Sequence, residues 1–169
     1  MHAACIVRRM RRTGRVWPVI IVVSAVAALL TTPASAQQSP FSTLITTPLA
    51  IEGLTTDGSN LYTIGRGAEG PCPVWQINLG APSLVVVGLI PNPCSPSGVV
   101  FNSSRQLFTA DGERIYTLTP SAASPPTATV FASGVPGTNG IAFDRSGNAW
   151  TGDGTTGQGR VWRIDRRAP

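Results

Sequence analysis

Lysine is absent from the 169-residue sequence, histidine occurs once, as His2, and cysteine three times, as Cys5, Cys72 and Cys94. His2 and Cys5 both lie in a basic N-terminal stretch that reads as a removable leader, so the body beyond it has neither an imidazole nor a side-chain amine. Ser-His-Asp and Cys-His catalysis, Schiff-base chemistry and His or Cys zinc sites are thereby excluded within one chain. After the leader no segment carries the 3.6-residue apolar spacing of an amphipathic helix, which argues against a helical fold. Carboxylates, amides, hydroxyls and guanidinium groups remain, a set that binds hard cations or polar small molecules.

The formal charge of +5 points first to a nucleic-acid or membrane partner. Its location removes that reading: Arg8, Arg9, Arg11, Arg12 and Arg15 all fall in the first fifteen residues, and the other eight arginines balance eight Asp and Glu. A neutral body offers no electrostatic footprint for nucleic acid. The basic run leads into Val16–Leu30, about fifteen mostly apolar residues, and then into Ala34-Ser35-Ala36. This is the pattern of a secretory leader cut after Ala36, with an uncleaved anchor as the other reading; the apolar run is shorter than the ~20 residues that span a bilayer. The expected location is secreted or periplasmic, with no stable membrane insertion after cleavage. Cys72 and Cys94 are then the only cysteines, and an even pair in an exported chain favours a disulfide over two buried thiols. It would close a loop of roughly twenty residues and contribute about 3 kcal/mol.

What is present is a repeat. Thr138 to Asp153, followed by Gly159 to Asp165, reads as three short strands: an apolar entry after Asn139-Gly140, a turn at Asp144-Arg145-Ser146-Gly147, a middle strand and an alternating third. Glu52 to Ile64 and Ser97 to Asp111 align with it, anchored on Gly53, Gly98 and Gly140 at spacings of 45 and 42 residues. A period of that size built from strands alone is a propeller period. Phe41–Thr46 precedes Gly53 as Ala128–Phe131 precedes Gly140, so each reads as the outermost strand of a preceding blade. The expected fold is all-β: a leader over 1–36, then a propeller repeat domain over 37–169. Its blades lie near 51–88, 97–131 and 139–165, about three four-stranded blades in all, with 41–46 as an outer strand. Three blades are half or a truncated part of a six-bladed ring, below the usual range of about four to eight, and two copies could close one as a homodimer.

The loops carry mainly turn chemistry. Asp111 and Asp153, at the ends of middle strands, read as turn holders that bond backbone amides. Gly154–Gly159 lacks the lysine of a phosphate loop and joins two strands. Tyr62, Phe108, Trp150 and Trp162 suit packing between blades.

The repeats resemble those of the senescence-marker-protein, gluconolactonase and luciferin-regenerating-enzyme family and also NHL repeats, most closely from Asn139-Gly140-Ile141-Ala142-Phe143 to Gly159–Asp165. The resemblance covers residues 41 to 165. It implies a propeller with a calcium-type divalent cation on its axis, hydrolysing lactones or related small-molecule esters. It also implies metal ligands just before the glycine that opens each innermost strand, a place held here by Glu52, Ser97 and Asn139. Ser97 departs from the family's pattern, and no copy places at that position the Asp-Gly that serves the family as ligand and base. The alternative is a non-catalytic NHL-like module that binds a protein or a glycan.

Overall fold

The computed structural model describes residues 41–67 and 69–166. The expected leader therefore lies outside the described residues. Those residues contain strands and turns but no helix. The first sheet comprises β1 (Ala50–Thr56), β2 (Asn60–Arg66), β3 (Cys72–Asn78) and β4 (Ser83–Ile90). The second comprises β5 (Pro96–Phe101), β6 (Leu107–Asp111), β7 (Arg114–Leu118) and β8 (Thr129–Ser133). The third comprises β9 (Thr138–Phe143), β10 (Ala149–Asp153) and β11 (Val161–Ile164). Within each sheet, consecutive strands pair antiparallel in chain order. Short turns favour this pattern: most connections within the sheets are two to five residues, with longer ones only before β8 and β11, and a connection that short returns the chain alongside the strand it left. Three antiparallel meanders in series are compatible with a propeller-like fold. Phe41–Thr46 forms no strand against the described residues of its own chain. A strand exists only through its ladder, and among the described residues the third sheet ends at β11 with no strand paired beyond it.

Two apolar layers hold the sheets face to face. Between the first and second lie Tyr62, Ile64, Val74, Val87, Ile90, Leu107, Tyr116 and Leu118; between the second and third lie Phe108, Ile115, Ala132, Ala149 and Ile164. Each fully buried Ile or Leu contributes about 1.5–3 kcal/mol. An aromatic pair recurs at each junction: Tyr62 meets Phe101 edge-on with centroids 4.8 Å apart, and Phe108 meets Phe143 at 4.7 Å. In both pairs a middle-strand ring packs on the ring that ends the next sheet's first strand. Trp150 holds the corresponding middle-strand place in the third sheet and is 36% exposed, beside Val161 at 70%.

The glycines that mark the repeat are where the first strands of neighbouring sheets touch. A Cβ on Gly98 would stand 2.6 Å from the Gly140 Cα, and one on Gly53 would stand 2.9 Å from the Val99 nitrogen. Gly53 and Gly140 also sit at positive φ, 68° and 70°, where an L side chain is strained. At each glycine the ladder slips into a bulge. Its carbonyl is then taken by a threonine hydroxyl at 2.7 Å: Thr63 donates to Gly53, Thr109 to Gly98 and Thr151 to Gly140. All three threonines are buried. A bulge leaves a carbonyl without its ladder partner, and the hydroxyl restores the bond on the sheet face.

Cys72, at the start of β3, is joined to Cys94, in the connection to β5, with Cα atoms 6.1 Å apart. The bond ties the first sheet to the strand that opens the second. Replacing both cysteines by alanine is expected to lower unfolding free energy by about 3 kcal/mol in denaturant titration. Gly98→Ala is expected to cost about 3 kcal/mol or more, because the clash is with backbone that has nowhere to move. Gly80→Ala, at a turn where a Cβ meets nothing within 4 Å, should stay within about 0.5 kcal/mol of the parent; equal losses in the two variants would contradict this packing.

Candidate functional site

The contacts among Gly53, Gly98, Val99 and Gly140 put the residues before those glycines at one level, where the first strand of each sheet begins. The second strands of the sheets end there too, because Ala50 pairs with Arg66, Pro96 with Asp111 and Thr138 with Asp153. Antiparallel register thus collects Glu52, Ser97 and Asn139 with Arg66, Asp111 and Asp153 at one end of the sheets. Each of the three expected ligands already has a neighbour. Glu52 Oε1 accepts from Arg66 Nη1 at 2.7 Å. Ser97 Oγ donates to the Thr138 carbonyl at 2.9 Å, joining the second sheet to the third beside Asn139. Asn139 is exposed and lies flat over Gly154, where any Cβ would collide with its amide.

As donors for a divalent cation the three fit poorly. They bring one carboxylate, which a guanidinium already neutralises, one hydroxyl whose proton is committed to a carbonyl, and one amide. A hard cation wants six or more oxygens and repays charged ones best. Among the described residues no group of three or more His, Cys, Asp or Glu stands close enough to share an ion.

Asp111 and Asp153 occupy equivalent places in the second and third sheets, yet their electrostatics are opposite. Asp153 accepts from the Thr156 amide at 2.9 Å, from the Thr156 hydroxyl and from Arg160 Nε at 3.3 Å. These bonds, the Thr156 hydroxyl foremost, hold its carboxyl below the usual range, and Arg160 lies 4.7 Å over the Trp162 ring. The turn reading of Asp153 therefore holds. Asp111 departs from its turn reading: Oδ1 accepts at 2.9 Å from the amide of Ser95, sixteen residues earlier in the connection to β5, rather than from its own turn. Its Oδ2 is buried without a hydrogen-bond partner among the described residues. Burial raises its carboxyl above the usual range, opposed by the Ser95 amide and by Arg114. The difference is local in sequence. Asp153 is followed by Gly154-Thr155-Thr156, which supplies amide and hydroxyl donors, whereas Asp111 is followed by the two-residue turn Gly112-Glu113, which has no hydroxyl. Sequence reasoning passed over Asp111 because its alignment with Asp153 concealed that contrast.

The opposite end of the sheets is built for turns. Asp57, Asn102 and Asp144 each stand four residues after the repeat glycine and accept from two backbone amides of the following turn. An aspartate is present where the middle-strand aromatic brings a donor, as Tyr62 does for Asp57 and Trp150 for Asp144. Asn102 takes the place where that aromatic is Phe108. Asn148, through its side-chain and backbone donors, holds the Asp144 carboxyl down at about 2. A folded pKa below the unfolded value of 3.8 stabilises the fold above pH 4, and that stabilisation is lost as pH falls toward 2. Thermal melts should therefore fall over pH 4 to 2, and Asp144→Asn should flatten that fall; an unchanged acid limb would refute the assignment.

No known family's sequence profile matches the chain, and no curated protein matches it. Function is therefore argued from the residues themselves.

Proposed function

We propose that the three sheets are blades of an exported propeller-type module that binds its target and does not hydrolyse it. The observation that carries this reading is the Glu52–Arg66 ion pair. It occupies the one carboxylate among the three expected ligands, in the place where a gluconolactonase-like hydrolase would need a ligand free for its cation. Ser97 is spent on the joint between the second and third sheets, and among the described residues there is no histidine or lysine to stand in for the missing base. The end where the first strands begin is the binding face, lined by a protein or glycan partner's choice of carboxylate, amide and guanidinium groups. The hydrolase reading stands second, favoured by the common level of Glu52, Ser97 and Asn139.

Ring closure by a second copy belongs to the same proposal. Trp150 and Val161 lie bare on the third sheet, where Tyr62 and Phe108 each pack on a following sheet. A further blade set would bury them. The exposed Phe41 and Leu44 lie in a segment free to pair with the open β11 edge of a partner.

Calorimetry with calcium alone separates the two readings. The binding module gives no isotherm that depends on the Glu52 or Asn139 side chains. A saturable isotherm abolished by both Glu52→Gln and Asn139→Ala would establish the cation site and reverse the order of the readings. Light scattering tests closure: the exported protein should have the mass of a dimer and Val161→Glu that of a monomer, whereas a stable wild-type monomer would exclude the ring.

A further inference from the structure

Asp111 and Arg114 stand directly opposite each other across the β6–β7 hairpin. Residues in that relation carry their side chains on one face, about 5 Å apart at Cβ, and opposite charges there ordinarily pair. These two do not. Arg114 Nη1 turns to the Tyr116 hydroxyl at 3.2 Å, and Asp111, only 8% exposed, keeps Oδ2 without a partner. Both line a cleft of about 330 Å³, together with Pro93, Cys94, Ser95 and Glu113. The Cys72–Cys94 disulfide braces one wall, and the volume falls in the range of small-ligand pockets.

We propose that this cleft binds a small zwitterion with the chemistry of an α-amino acid, its ammonium group on the Asp111 carboxylate and its carboxylate on Arg114. Asp111 lies at the same end of the sheets as Glu52, Ser97 and Asn139, but the cleft uses none of those three, so its test is independent of the reading given to them. Buried polar atoms find partners, and an ammonium group supplies both the missing donor and the compensating charge. It would also offset the burial that raises the Asp111 carboxyl. Arg114 is exposed, and one Tyr116 contact leaves most of its five donors for a planar carboxylate. A neutral polyol would leave the buried charge uncompensated. A bare divalent cation would meet one buried carboxylate with the Arg114 charge nearby, far from the oxygen cage it needs.

Calorimetric titration of the exported protein with each of the twenty L-amino acids tests the assignment, with ethylamine and acetate as half-ligands. At least one amino acid should bind below roughly 10 mM, and Asp111→Asn and Arg114→Gln should each weaken it about tenfold or more. Ethylamine and acetate should bind far more weakly than that amino acid. Asp111→Asn should also melt no lower than the parent without ligand, since it removes a charge the fold leaves unsatisfied. No binding by any amino acid overturns the proposal, as does binding that Arg114→Gln leaves intact. Ethylamine binding as tightly as the best amino acid overturns it too, because the carboxylate half of the site would then be idle. Arg114 is on the surface, so its variant keeps the test valid even if Asp111→Asn folds poorly.

Discussion

Backbone-to-backbone contact between the first strands of successive sheets is the constraint on which the rest of this molecule depends. Gly98 approaches Gly140 so closely that a single methyl group would overlap the Cα opposite, and Gly53 stands in the same relation to Val99. Such an approach requires a glycine on one side of each contact, Gly53 against Val99 and Gly98 against Gly140, a bulge to turn each strand, and a replacement partner for the carbonyl the bulge releases. Thr63, Thr109 and Thr151 are those partners. With the inner strands fixed, the faces between sheets come within packing distance, and the Tyr62–Phe101 and Phe108–Phe143 pairs follow at matching places. A repeat period in the sequence is thus the trace of one joint made over and over.

The same joint organises the chemistry. Because the first strands start level, the residues preceding the glycines and those ending the second strands gather at one end, while the Asx turns of Asp57, Asn102 and Asp144 gather at the other. Charges at the turn end are saturated by local donors and serve stability. At the other end, Glu52 and Asp153 are satisfied by Arg66 and Arg160, and Asp111 keeps one oxygen unsatisfied. That contrast with the satisfied Glu52 and Asp153 is the observation on which the proposed zwitterion site rests.

The all-β class and the division into three sheets were legible in the sequence, because alternation and polar turns are local signals and the glycine spacing of 45 and 42 residues is explicit. The pairing of Cys72 with Cys94 was legible as the favoured of two readings, from an even count in a chain whose leader pattern reads as an export signal. Other features were not. Nothing local tells that Gly98 is needed for close approach while Gly53 and Gly140 also need positive φ. Phe41–Thr46 reads as a strand by composition, but a strand requires a neighbour, and its own chain supplies none among the described residues. Glu52 reads as a ligand by position, and its capture by Arg66, fourteen residues on, appears only when β1 and β2 are laid side by side.

The contact between first strands can be observed directly by nuclear Overhauser spectroscopy of the folded protein. The geometry predicts a strong cross-peak between the α protons of Gly98 and Gly140, residues in different sheets and 42 positions apart. Its absence from a spectrum that retains the cross-strand peaks within each sheet would mean that the sheets do not meet along their inner strands, and the account built on that joint would fail.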